Sequence, residues 1–101
     1  MLFSLILMDK PGATELRSQV RPEHKAYLSD VESRIAFAGP LTSDDGAAMI
    51  GSLLVIDFET RRDAHAWLAK EPFNRSGLYA STSVHAFINL WAQKIGFPAK
   101  P

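Results

Sequence analysis

Val20-Arg21-Pro22-Glu23-His24-Lys25-Ala26-Tyr27-Leu28 is the stretch on which the reading of the fold turns. Proline is best tolerated in the first turn of a helix, so Pro22 sets the expected start of the first main helix. Glu23 then stands where the positive end of the helix dipole favours a carboxylate. Counting onward, His24, Tyr27, Leu28 and Val31 share one stripe at helical spacing, while Lys25, Ser29, Glu32 and Ser33 fall on other faces. A titratable imidazole is therefore expected on the buried face, in the first turn of a helix running to about Arg34.

Working outward, residues 2–8 (Leu-Phe-Ser-Leu-Ile-Leu-Met) are apolar on both parities, the pattern of a strand covered on both sides, and Asp9-Lys10-Pro11-Gly12 ends it. Residues 13–19 read as a helical turn or a loop. Beyond the helix, residues 35–38 form a second strand broken by Gly39-Pro40, and residues 42–46 carry the polar turn types of a hairpin. Residues 51–58 form a third strand. Thr60 with Asp63 three residues later resembles a capping box opening the second helix, whose buried stripe is Ala64, Trp67 and Leu68, continued by Glu71. Pro72 stops that helix, residues 73–79 connect, and residues 82–91 form the last strand. Residues 92–101 are set apart as a tail from a domain of residues 1–91.

The order is β-α-β-β-α-β, which predicts an α+β ferredoxin-like sandwich: an antiparallel four-stranded sheet with two helices on one face. Such a monomer leaves its other sheet face bare. Strands apolar on both parities, with Phe87 and Trp91 on the second face of the last strand, predict a homodimer through that open face.

Composition narrows the function classes. The 101 residues make one small domain. Eleven basic and eleven acidic side chains cancel, so no nucleic-acid or membrane partner is indicated. The absence of cysteine excludes thiolate zinc sites, disulfides and cysteine nucleophiles. The apolar start is too short to span a bilayer and lacks the marks of a signal peptide, so a cytoplasmic protein is expected. The three histidines have no metal-ligand spacing, and no phosphate-binding glycine motif or nucleophile elbow is present. No metal is predicted.

Alternating the elements up and down brings Asp9, His24, Gly39, Pro40, Gly51, Ser52, Glu71 and Ser83 to one end of the fold. A histidine beside a carboxylate is a proton-transfer device, because the acid holds one ring nitrogen protonated and frees the other to act as base or acid. His24 is the expected acid–base group, with Glu71 or Asp9 as its partner. Arg21, Gly39, Pro40, Gly51, Ser52 and Ser83 are the expected substrate-binding residues. The competing reading makes His24 a packed polar residue, Glu71 and Asp9 a helix-end and a turn residue, and Arg21 a solvated or salt-bridged cation. His65 falls on the outer face of its helix, and His85 belongs to the open sheet face.

Arg21-Pro22-Glu23-His24, Ala38-Gly39-Pro40, Gly51-Ser52, and Glu71-Pro72-Phe73 with Gly77-Leu78-Tyr79 together make the chain similar to the YciI-like (YCII-related) proteins over about residues 2–87. The resemblance implies a ferredoxin-like dimeric α/β-barrel protein with a histidine–aspartate centre, the histidine falling on His24. Where that family has Asp-Pro-Phe or Asp-Pro-Tyr, this chain has Glu71-Pro72-Phe73, an acid longer by one methylene. Muconolactone isomerases and a chloromuconolactone dehalogenase share this barrel class and shuttle protons on small cyclic acids without a cofactor. Two functions follow as expectations: a cofactor-free homodimeric enzyme of isomerase, lyase or dehalogenase type acting on a small organic molecule, or a non-catalytic dimeric module that binds a small ligand or a partner.

Overall fold

The computed structural model describes residues 1–98, so the last three residues of the expected tail lie outside the described residues. The elements are β1 (Leu2–Asp9), α1 (Thr14–Ser29), a 3-10 turn (Glu32–Arg34), β2 (Ile35–Thr42), β3 (Met49–Asp57), α2 (Arg61–Lys70), a short α3 (Pro72–Arg75) and β4 (Tyr79–Phe87). The strands form one antiparallel sheet in the order β2-β3-β1-β4. The expected ferredoxin-like α+β sandwich is the fold of this chain.

Side chains alternate across a strand, so the register assigns the two faces. Phe3, Leu5 and Leu7 of β1 pair with Ile56, Leu54 and Ser52 of β3, and with Ala86, Val84 and Thr82 of β4. This face carries the core: Phe3, Leu5, Leu7, Leu54 and Ile56 are buried with Ala64 and Leu68 of α2 and Phe73 of α3, while Leu16, Val20 and Leu28 of α1 pack against them. The other face presents Leu2, Ile6, Met8, Phe37, Leu41, Leu53, Val55 and Phe87 with no helix over it. Phe37 lies opposite Val55 in the register and meets Phe87 edge-on at 6.3 Å, while Ile6 is 38% exposed.

Several boundaries differ from the sequence reading, each for a local reason. α1 begins at Thr14, and Pro22 lies in its interior. A mid-helix proline removes one i→i−4 bond, here the bond to the Ser18 carbonyl, and costs about 3 kcal/mol against alanine. Ser18 and Pro22 are both exposed, so water takes the orphaned carbonyl and the helix runs on. β2 likewise continues through Gly39-Pro40 to Thr42, because it is an edge strand and proline is tolerated where no further strand needs its N–H. Pro72 opens α3 as its first residue, in place of a plain connector. β4 starts at Tyr79 and ends at Phe87, so Trp91 is not part of the sheet and is 94% exposed. The Thr60 cap is present as expected, its hydroxyl accepting from the Asp63 N–H at 3.1 Å. Among the described residues no helix is long and apolar enough to cross a membrane.

Candidate functional site

A cleft of ≈ 370 Å³ opens between α1 and the β2–β3 side of the sheet. One wall is α1, with Arg17, Arg21, His24 and Lys25; the other is apolar, with Ile35, Pro40, Met49 and Leu54. Arg17 and His24 are seven residues apart, so they project from one face two turns from each other. Because α1 starts at Thr14, His24 lies in the third turn of the helix, not in its first turn as expected, and neither it nor Glu23 stands at the positive end of the helix dipole.

The structure pairs His24 with Glu71. The histidine Nδ1 meets Glu71 Oε1, both side chains being buried. Glu71 is held by local chain chemistry: it is the N-cap of α3, and its Oε2 accepts from the Asn74 backbone N–H at 2.8 Å. A buried carboxylate needs every lone pair served. The Tyr79 hydroxyl, 3.5 Å from Oε2, is the third donor facing this carboxylate. Burial first, and then the negative charge of Glu71, raises the Tyr79 pKa far above the usual phenol value, so this hydroxyl stays protonated. The imidazole stacks on Phe73, with ring centres 4.0 Å apart and planes 17° from parallel. With Nδ1 on the carboxylate, Nε2 occupies the opposite edge of the ring. It has no protein partner among the described residues, where no buried side-chain nitrogen or oxygen is left unpaired; Nε2 is therefore open to the cleft that His24 lines.

Asp9 does not reach this pair. Its carboxylate takes two bonds from Arg17, Nε to Oδ2 at 2.7 Å and Nη2 to Oδ1 at 3.1 Å, and Arg17 Nη2 also donates to Ser52 Oγ at 2.9 Å. Arg17 is 4% exposed, with its guanidinium carbon 4.6 Å from the centre of the Phe73 ring. Of the expected binding residues, Arg21, Gly39, Pro40 and Ser52 line the cleft. Gly51 and Ser83 do not, because their strand registers turn them to the open face. Gly51 is tightly enclosed there: a Cβ would stand 2.5 Å from the Leu7 carbonyl oxygen. Ser83 faces the Ile6 carbonyl at 3.5 Å. His65 and His85 are exposed and outside the cleft.

Arg17 is the cleft residue that the sequence reading passed over. The signal was available: Arg17, Val20, Arg21, His24 and Leu28 repeat at helical spacing. Starting the helix at Pro22 cut the stripe in half. Lys25, Ser29 and Glu32, read as outward-facing, also border the cleft, which is wider than one stripe of the helix.

Among the described residues no group of three potential metal ligands lies together. Protein YciI of Escherichia coli O6:H1 is 36% identical over 94 residues, an alignment covering 86% of this chain and 96% of that protein. An uncharacterized protein of Haemophilus influenzae is 32% identical over the same length and the same shares. The 5-chloro-2-hydroxyhydroquinone dehydrochlorinase TftG of Burkholderia phenoliruptrix AC1100, solved in complex with 2,5-dihydroxybenzoquinone, superposes with a TM-score of 0.81 at 32% identity, covering 87% of this chain and 94% of that one. The YCII-related domain matches residues 1–88, and this chain belongs to that family.

Proposed function

We propose that this protein is a cofactor-free enzyme in which the His24–Glu71 pair moves a proton on a small organic substrate bound in the cleft. The observation that carries the reading is a buried imidazole held by a carboxylate at Nδ1, with Nε2 free of any protein partner among the described residues, in a histidine that lines the cleft. A carboxylate at Nδ1 keeps the proton on that nitrogen and leaves the Nε2 lone pair as the base. As the base accepts a proton, Glu71 stabilises the imidazolium, and the same nitrogen can return the proton as an acid.

Elimination is the step that fits such a pair. Nε2 takes a proton from the substrate, the released electron pair forms a new double bond, and the leaving group departs with its own pair. Loss of hydrogen chloride follows this scheme, and the similarity to a dehydrochlorinase supports it. The cleft volume suits a single ring, and its apolar wall suits a flat one.

Chloride release from 5-chloro-2-hydroxyhydroquinone, compared between the wild type and His24→Gln, tests the reading. The folded variant is expected to lose about 10²–10⁴-fold in rate, the usual contribution of a general base. Unchanged chloride release from it would dismiss the proposed role.

The active form is proposed to be a homodimer joined through the open sheet face. The apolar residues of that face, Ile6, Met8, Leu41, Leu53 and Phe87 among them, support this reading. Ile6→Asp places a charge at the centre of the patch and is expected to leave a folded monomer in analytical ultracentrifugation. A variant sedimenting identically to the wild type would argue against this interface.

A further inference from the structure

We infer that Arg17 forms a seat for an anionic oxygen inside the cleft, so that the substrate is a flat ring compound carrying an ionised hydroxyl. Three of the five guanidinium N–H groups can be accounted for: Nε and one Nη2 hydrogen go to Asp9, and the other Nη2 hydrogen goes to Ser52. Nη1 has no partner among the described residues, yet no buried side-chain nitrogen there is unsatisfied, so Nη1 is at a surface. The surface that Arg17 borders is this cleft; the smaller hollow beside Asp9 is not lined by Arg17.

The arrangement is that of a built binding site. Arg17 is 4% exposed and its guanidinium is locked by Asp9 and Phe73, so the free edge is held still before a ligand arrives. A fixed N–H pair beside low-dielectric walls binds a charged oxygen far better than a neutral one. Asp9 neutralises the guanidinium, and Glu32 at the cleft border offsets one further charge, but Arg21 and Lys25 on the same wall have no ion-pair partner among the described residues and leave the lining with a net positive charge. Opposite them, Ile35, Pro40, Met49 and Leu54 offer apolar surface, which suits a ring face. Arg17 and His24 both line this cleft, so one small molecule bound in it can meet the anion seat and the imidazole together. An oxygen held as an anion at one position of a conjugated ring makes a neighbouring leaving group easier to expel.

The inference rests on the proposed function in placing the anion beside His24, but its test reads binding alone. The probes are 2,5-dihydroxybenzoquinone, whose hydroxyls ionise below neutrality, and 2,5-dimethoxybenzoquinone, the same ring without ionisable oxygens. By calorimetry at pH 7, the wild-type protein is expected to bind the dihydroxy compound at least about tenfold more tightly. Arg17→Lys keeps a cation for Asp9 but spends it there, and is expected to erase most of that preference while leaving the dimethoxy affinity unchanged. His24→Gln is expected to keep the preference even though turnover is lost, which separates this seat from the proton-transfer role. Equal binding of the two quinones by the wild type, or no binding of either, overturns the inference without recourse to any variant. So does a preference that survives in Arg17→Lys, whatever His24→Gln does.

Discussion

Two acid–base pairs sit on the same phenylalanine. His24–Glu71 and Arg17–Asp9 both use a residue of α1, both have buried side chains, and both hold their nitrogen member against Phe73. They differ in what the nitrogen member can do. An imidazole gains and loses a proton near neutrality, whereas a guanidinium never does so in a protein. The carboxylates differ as well: Glu71 is fixed by capping α3, while Asp9, at the end of β1, is bound by Arg17 through two parallel bonds. On the proposed function, one pair changes charge and the other keeps it. Equal burial therefore does not mean equal function.

The largest effect that would break this comparison is on stability. Asp9→Asn leaves a buried guanidinium with its charge unmatched and is expected to cost about 3–5 kcal/mol, measured by urea denaturation. A cost below about 1 kcal/mol would show the Arg17–Asp9 pair to be no more than a surface-grade contact. Glu71→Gln should separate the pairs in the opposite sense. Its single amide oxygen cannot serve both the Asn74 N–H and the imidazole N–H. If the oxygen keeps the α3 cap, the amide nitrogen faces Nδ1 and forces the proton onto Nε2. The expected result is a rate loss of about 10²–10⁴-fold with a stability loss of only about 1–2 kcal/mol. Full activity in this variant would leave the carboxylate without a part in proton transfer.

The smallest effect comes from a third pair, outside the core. The Met1 ammonium lies 2.7 Å from Asp57 Oδ1, with both groups largely exposed. This hydrogen bond and the ammonium charge lower the Asp57 pKa below the ordinary carboxylate value. A lowered folded-state pKa contributes stability above the unfolded value, near 3.9 for aspartate, and that contribution is lost as pH falls through the folded-state pKa. Solvent screens the pair heavily, so Asp57→Asn is expected to shift the melting temperature by less than about 2 °C at pH 7. The difference should vanish in acid. A difference that grows on acidification would contradict the assigned sign.

The fold was legible because its signals are local and repeated. Runs such as Leu-Phe-Ser-Leu-Ile-Leu-Met, the Thr60 cap and the Gly-Pro punctuation each state an element type, and their order leaves few topologies open. His24 and Glu71 were legible for the same reason, each continuing an apolar stripe. Arg17 was not, because proline ordinarily marks a helix start, whereas Pro22 lies on an exposed helix face where water can replace the missing hydrogen bond. Gly51 and Ser83 were misplaced by a different limit. Position along a strand places a residue at an end of the sheet, but a one-residue change of register moves it to the other face.

The amino-acid order alone determined the sandwich, its antiparallel sheet and the imidazole on a helix face, since these follow from periodicity and turn chemistry within about ten residues. Only the tertiary structure decided which carboxylate meets which cation. Asp9 is eight residues from Arg17 and Glu71 is forty-seven from His24. No local pattern ranks those pairings, because they depend on how far α1 stands from the sheet and on the turn that α3 makes after Glu71.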